Sequence, residues 1–245
     1  MAETLLWAYG VVPAAAAAVP PDVPGVAGRP VERIAHDGLA ALVTSVPAER
    51  FTGAALQERL EDLDELEALA RGHEAVLEDV LRAGDLVPFR MCTIYRAPDT
   101  VRHMLATEGE RLRRALVRLR GKAEWGVKAF AAPAAASAPA AQPASGTEYL
   151  RRRSAEHRRA AQDGDALAAA VAGVHARLAE RACAAVLAPP QDRRLTGRDA
   201  EMVLNASYLV ERERAGDFAG LVDTLGGDGF ALELTGPWPA YHFVT

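Results

Sequence analysis

The C-terminal stretch from Met202 to Thr245 constrains the fold more than any other part of the sequence. Its first residues, Met202 to Val210, are almost all apolar, which is typical of a strand covered on both faces. An apolar stripe of helical spacing follows at Phe218, Leu221, Val222 and Leu225. After Gly226 and Gly227, apolar and polar residues alternate from Phe230 to Thr235 and predict a second strand. The stretch is therefore predicted to be β-α-β, with parallel strands in one sheet.

The last residues, Gly236 to Phe243, carry two prolines on either side of Trp238. Because proline cannot donate to a strand ladder, we predict an extended tail here. We expect this tail to fold back on the protein, with Trp238 and Tyr241 mostly buried. Aromatic residues of this kind also form interfaces, so a partner-binding arm is the alternative.

The first half of the chain alternates short strand patterns with two long helical ones. The predicted strands and helices, in order, are Leu5–Val12, Val31–His36, Leu39–Val46, a helical region Gly53–Gly84 in one or two pieces, Leu86–Tyr95, Pro98–Arg120 and Ala123–Phe130. The pair Asp37-Gly38 predicts a hairpin turn. A sheet with two helices on one face accommodates this order, so we predict a ferredoxin-like α+β sandwich with an added strand.

The composition changes sharply after residue 130. Residues 131–146 are rich in alanine, proline and serine and are predicted to be a linker. We therefore expect an α+β fold with two domains, residues 1–130 and a smaller C-terminal α+β domain, residues 147–245. The second domain begins with a helical pattern over residues 147–187, with a break expected at Asp163-Gly164-Asp165.

Charge and motif content exclude several function classes. The net charge of −5 argues against general nucleic-acid binding. No apolar run reaches the length of a membrane helix, and the two cysteines, Cys92 and Cys183, suit a reducing cytoplasm. Phosphate-loop, dinucleotide, zinc-protease and hydrolase motifs are missing from the sequence, so we predict no cofactor, no metal and no catalysis. His73 lies in an apolar helical stripe and is interpreted as a core residue.

Two charged clusters have alternative interpretations. The acidic residues from Glu61 to Glu67 are interpreted as a solvated helix face, because calcium-ligand spacing is missing. The basic run Arg151 to Arg153, with Arg158 and Arg159, is also typical of a solvated face. It could instead contact an acidic partner segment.

Five segments, taken together and in order, resemble one protein family. They are LLWAYGVV from Leu5, LVPFRMCTIY from Leu86, EWGVKAF from Glu124, MVLNASYLVER from Met202 and TGPWPAYHF from Thr235. This set is similar to the GvpF/GvpL family of gas vesicle proteins and covers nearly the whole chain. The chain departs from the family at Met91-Cys92, where Phe-Gly is usual, and at Ala240, where a second proline is usual.

The resemblance implies a fold and a function. The fold would be an α+β N-terminal domain joined to a smaller α+β C-terminal one. The function would be that of a non-catalytic accessory or minor structural protein in the cytoplasm, which supports gas vesicle assembly. Its partners would be the hydrophobic shell protein and other gas vesicle proteins, without a lipid membrane. A small-molecule enzyme with a site between its domains is the alternative.

We place the partner contact near the strand predicted at Leu86 to Tyr95. The candidate partner-binding residues are Arg90, Thr93, Tyr95, Trp125, Trp238 and Tyr241. These polar and aromatic side chains are of the type that anchors interfaces. The alternative is that they only complete the sheet.

Overall fold

The computed structural model describes residues 3–16, 23–132, 146–193, 198–227 and 229–244. These residues form a mixed α/β structure with two antiparallel sheets. The strands β1 to β9 are Thr4–Pro13, Glu32–His36, Leu39–Pro47, Val87–Pro88, Ile94–Tyr95, Lys122–Ala131, Ala184–Leu187, Met202–Glu211 and Phe230–Trp238. The helices α1 to α6 are Ala48–Phe51, Gly53–Glu61, Leu63–Ala83, Pro98–Leu119, Gly146–Ala179 and Ala215–Leu225. Short 3-10 turns occur at Val26–Gly28, Arg212–Arg214 and Tyr241–Phe243.

Strand β1 lies at the centre of the first sheet. The sheet order is β2-β3-β1-β4, and β5 pairs with the same edge of β1 as β4 does. All of these pairings are antiparallel. Residues Leu5 to Val12 of β1 are all buried, as expected for a strand covered on both faces.

The two long helices of this region cover opposite faces of the sheet. Leu5, Trp7 and Tyr9 of β1 share a core cluster with residues of α3, and this cluster contains no residue of α4. Leu6 and Ala8 point to the other face and are also buried. Helix α4 contacts β1, β2 and β3 on that side. The expected arrangement, with both helices on one face, is wrong, and the ferredoxin-like sandwich predicted here is not confirmed.

The second sheet has the strand order β7-β8-β6-β9. Its elements follow the order β6, α5, β7, β8, α6, β9, which is the split β-α-β arrangement of ferredoxin-like folds. The N–H of Ala131 donates to the Glu201 carbonyl, and that of Ala132 to the Gly229 carbonyl. Strands β8 and β9 therefore both run antiparallel to β6 and parallel to each other. The predicted β-α-β unit is present, with β6 inserted between its two strands.

Helix α5 differs from its prediction at both the expected break and the expected end. It continues through Gly164 and ends at Ala179, after which β7 forms. A glycine within a helix costs only about 1 kcal/mol relative to alanine, so it does not have to interrupt a helix of this length. Its C-terminal part packs on the second sheet through Val171, Val174 and Leu178.

The chain divides into two compact units whose limits differ from the predicted domains. The first unit comprises Met1–Glu124 and Pro237–Thr245, and the second comprises Trp125–Gly236. The C-terminal tail thus belongs to the unit in which the chain begins. Most of the predicted linker, residues 133–145, lies outside the described residues.

Cleavage of the linker is expected to leave the protein in one piece under native conditions. A cut at a protease site inserted after Ala136 would leave β6, an internal strand of the second sheet, on the N-terminal fragment. The tail of the first unit would stay on the C-terminal fragment. We expect two bands in a denaturing gel and one peak of unchanged size in native gel filtration. Two separate folded fragments in the native run would restore the predicted boundaries at residues 130 and 147.

Candidate functional site

A turn of the backbone between β4 and β5 brings together three of the candidate residues. At its start, the N–H of Phe89 donates to the Tyr9 carbonyl (2.7 Å), and at its end the N–H of Ala8 donates to the Thr93 carbonyl (2.8 Å). The turn is closed by Thr93, whose hydroxyl donates to the Arg90 carbonyl at 2.7 Å. Residues 89–93, hereafter the edge turn, are therefore attached to β1 at both ends.

The strand predicted from Leu86 to Tyr95 is thus interrupted. Cys92 has a φ angle of 65°, in the left-handed region where glycine is the favoured residue. This is the position at which the resemblance leads one to expect glycine. Met91 and Cys92 are half-buried and pack against the core of the first unit. Burial raises the pKa of the Cys92 thiol.

His73 of α3 links the edge turn to the core of the first unit through two hydrogen bonds. The indole N–H of Trp7 donates to His73 Nδ1 (3.0 Å), and His73 Nε2 lies 3.2 Å from the Phe89 carbonyl oxygen. Because Nδ1 accepts a hydrogen bond, the proton of the neutral ring is on Nε2 and is donated to Phe89. The interpretation of His73 as a core residue is confirmed, since the residue is only 1% exposed.

The surroundings of His73 favour its neutral form. Burial lowers its pKa from 6.5 to about 4, and the hydrogen bond to the Phe89 carbonyl opposes this shift. The Tyr9 ring stacks on the imidazole with a centroid distance of 5.3 Å. In the folded protein, a neutral imidazole with two hydrogen-bond partners therefore holds the edge turn against the sheet above about pH 4.

Arg90 and Thr93 lie on this turn and Tyr95 follows it, although the sequence predicted all three on one continuous strand. Arg90 is exposed, while Thr93 and Tyr95 are half-buried. Tyr95 pairs with Leu6 in β1, and burial together with Glu108 raises the pKa of its hydroxyl. The result is one charged and one aromatic side chain held beside a rigid backbone turn.

The C-terminal tail is anchored by polar contacts within the first unit. The Tyr241 hydroxyl donates to Glu74 Oε1 at 2.8 Å. The backbone N–H of His242 donates to Glu124 Oε2 at 3.0 Å, and its Nδ1 lies 2.6 Å from Glu124 Oε1. Glu124 is 4% exposed, so this pairing satisfies a buried carboxylate.

The apolar anchors of the tail agree only in part with the prediction, since Tyr241 packs against the core of the first unit but Trp238 is exposed. Ala240 and Phe243 are buried, whereas Tyr241 is half-buried and Trp238 is 38% exposed. The expected burial of Trp238 is wrong because β9 continues through Pro237 to Trp238, and the tail turns inward only afterwards. Trp125, on β6 of the second unit, is half-buried beside the core of that unit.

Sequence reasoning missed the partners of the tail. Glu124 is an acidic residue in an otherwise mostly apolar strand, and this was an available signal for a buried ion pair. Arg118 donates to the Phe243 carbonyl. Glu74 gave no sequence signal, since it lies in a helix with many acidic residues.

Two open grooves occur in the described part of the chain. One, of about 580 Å³, lies between residues 24–28 and α3, and its charged lining residues are Asp64 and Arg71. The other, of about 590 Å³, lies along α6, with Arg181, Arg214 and Asp217. Neither gathers histidine, cysteine or several carboxylates. Within the described ranges no group of His, Cys, Asp and Glu could hold a metal ion, and no helix is long and apolar enough to cross a membrane.

Replacing Cys92 by glycine is expected to relieve backbone strain in the edge turn. We expect Cys92→Gly to be more stable than Cys92→Ala by about 1 kcal/mol, because alanine keeps the Cβ atom at positive φ. Both variants lack the thiol, so the difference between their free energies of unfolding reflects the backbone conformation at this position. Urea denaturation measures it. Equal free energies of unfolding would show that the left-handed conformation is not strained.

Acidification is expected to destabilise the fold through His73. The folded-state pKa of about 4 lies below the ordinary 6.5, so the unfolded chain binds the proton first. The stabilisation is complete above about pH 6.5 and is lost as the pH falls toward 4, to a total of roughly 3 kcal/mol. Urea denaturation across this pH range measures the loss.

The variant His73→Gln should lose this part of the pH dependence, while His103→Gln, at an exposed histidine, should keep it. If both variants follow the wild-type pH profile, His73 is not the group responsible.

Comparison with known proteins identifies the family. A family model described as gas vesicle synthesis protein GvpL/GvpF matches residues 5–245. Gas vesicle protein L of Streptomyces sp. (strain CB03234) is 39% identical over 250 residues, which are 99% of this chain and 93% of that protein. Gas vesicle protein F of the same strain is 28% identical over 253 residues, with coverage of 97% and 98%.

A solved structure shows the same fold. The crystal structure of the gas vesicle protein GvpF from Anabaena sp. PCC7120 superimposes with a TM-score of 0.71 at 20% identity, covering 99% of this chain and 96% of that one. The resemblance inferred from the five segments is confirmed. The chain belongs to the GvpL/GvpF family of gas vesicle synthesis proteins.

Proposed function

We propose that this chain is a non-catalytic accessory or minor structural protein that binds the hydrophobic shell protein and supports gas vesicle assembly in the cytoplasm. The observation that carries the proposal is the family match over residues 5–245. The relatives named gas vesicle protein L and F match along nearly their whole lengths. Identity to the L protein exceeds identity to the F protein of one strain, which favours an L-type role.

The chemistry of the partner follows from what a shell subunit must expose before assembly. An unassembled subunit of a hydrophobic shell has a large apolar surface, and such surfaces bind proteins that offer apolar contact area with a few polar anchors. The partner of this chain would therefore be recognised by aromatic and arginine side chains on a rigid support.

The edge turn is our candidate for this contact. Arginine and tyrosine are the residues that most often dominate binding energy, and Arg90 and Tyr95 stand at this turn. The turn is held by two backbone bonds to β1 and by His73, so little conformational entropy would be lost on binding. The neighbouring strands β4 and β5 have only two residues each, and they leave the edge irregular.

Capture of the shell protein tests the assignment. Arg90→Ala combined with Tyr95→Ala is expected to weaken capture on immobilised shell protein by about tenfold or more, because both side chains are anchors. A second double variant, Arg90→Ala with Tyr95→Phe, keeps the aromatic ring beside β1 and therefore separates a loss of binding from a loss of folding. The control is Arg102→Ala with Val117→Ala, at exposed positions on α4.

Each outcome bears on one part of the proposal. Undiminished capture by both edge-turn variants would remove the site but keep the partner. A wild-type chain that is not captured, or cells without the chain that still build normal vesicles, would remove the functional proposal itself.

A further inference from the structure

The N-terminal part of helix α5 is largely exposed. None of the described side chains of residues 147–166 is buried. Tyr149 is 41% and Leu150 is 67% exposed, and both are among the most exposed large apolar residues of the described chain. In proteins most of the stability of a helix comes from the packing of one of its faces, so a contact along this part of α5 would stabilise it.

This part of the helix is also strongly basic. Residues 149–162, hereafter the arm, contain five arginines and one acidic residue, Glu156. Arg152 pairs with Glu156, and Arg153 donates to the Tyr149 hydroxyl. Among the described residues, the remaining three arginines form no ion pair. They are Arg151, Arg158 and Arg159.

The arginines of α4 provide the contrast. Four of them are neutralised within the chain by nearby carboxylates. The pairs are Arg102–Asp99, Arg111–Glu108, Arg113–Asp37 and Arg114–Glu110. The positive charge of α4 is therefore already compensated, and the arm differs from it in this respect.

An acidic surface of opposite character lies on the first unit. The junction of α2 and α3, residues 58–67 and hereafter the acidic corner, has six acidic residues and one arginine. Its centre is Leu63, which is 79% exposed. Four of its carboxylates form no ion pair within the described parts of the chain, namely Glu58, Glu61, Asp62 and Asp64.

We propose that the arm of one copy of this chain docks on the acidic corner of a second copy. Opposite charges surround an exposed apolar residue on each surface, so the two surfaces are complementary in charge and in their apolar centres. One chain carries both, and both are exposed, which makes a second copy the occupant that the sequence itself supplies. The two surfaces are different, so each arm-to-corner contact is heterologous, and repeated contacts of this kind join copies into a ring or an open chain.

The association should depend on salt. Both surfaces are exposed, and the Debye length falls from about 14 Å near 0.05 M salt to about 4 Å near 0.5 M, which screens such charges. Sedimentation velocity of the full chain over a wide range of concentrations should show species heavier than the monomer at low salt. We expect the apparent dissociation constant to rise at least about tenfold at high salt.

Charge reversal identifies the surfaces. Arg151→Glu/Arg158→Glu/Arg159→Glu on the arm, or Glu58→Arg/Glu61→Arg/Asp64→Arg on the corner, should each abolish the heavier species at low salt. The chain that carries all six substitutions should regain them, because the complementary charges are then exchanged. Arg102→Glu/Arg111→Glu/Arg114→Glu on α4 has the same change of net charge as the arm variant and should still associate.

A wild-type chain that stays monomeric at low salt would overturn the proposal. Heavier species that survive both reversals would do the same. So would a monomeric chain whose arm instead binds the isolated shell protein, since the occupant would then be another protein. Circular dichroism of each variant separates these outcomes from a loss of folding.

Discussion

Burial of strand β1 on both faces is the constraint from which the first unit follows. A buried indole N–H must find an acceptor, and for Trp7 this acceptor is His73. The imidazole then presents its other nitrogen as a donor, and the Phe89 carbonyl accepts it. One buried tryptophan therefore determines the tautomer of His73, which links α3 to the edge turn. The edge turn is thus held by its backbone bonds to β1 and by a hydrogen-bond chain that begins in the core.

Tyr9, two residues further along β1, holds a second irregular segment, residues 25–30, through hydrogen bonds of its hydroxyl. Its hydroxyl donates to Thr44 and accepts from the Val26 N–H, both at 2.8 Å, and Thr44 donates on to the Pro30 carbonyl. Gly25 lies so close to these two side chains that a Cβ atom on it would be 2.4 Å from the Tyr9 and Thr44 hydroxyl oxygens. Residues 25–30 are thus held by hydrogen bonds to buried side chains, which replace the backbone hydrogen bonds of regular secondary structure.

Most elements could be predicted because their signals are local, and the failures occur where non-local contacts decide. Asp37-Gly38 forms the expected turn, with φ angles of 45° and 75°, since these residue types tolerate such angles. The interruption of the predicted strand Leu86–Tyr95 could not be foreseen, because strands of two residues are too short to show an alternation of apolar and polar residues. In the tail, burial was predicted for Trp238 because the residue is large, but Ala240 and Phe243 are the buried apolar residues.

The tail also shows why the ends of this chain cannot be assigned to units by sequence order. Glu124 is a buried carboxylate, and a buried carboxylate is destabilising unless hydrogen-bond donors satisfy it. Its partner is His242, so the chain must return to the first unit after completing the second sheet. Tyr241 and Phe243 then bind on either side, to Glu74 and to Arg118. The residues that follow the second sheet therefore complete the buried polar contacts of the first unit.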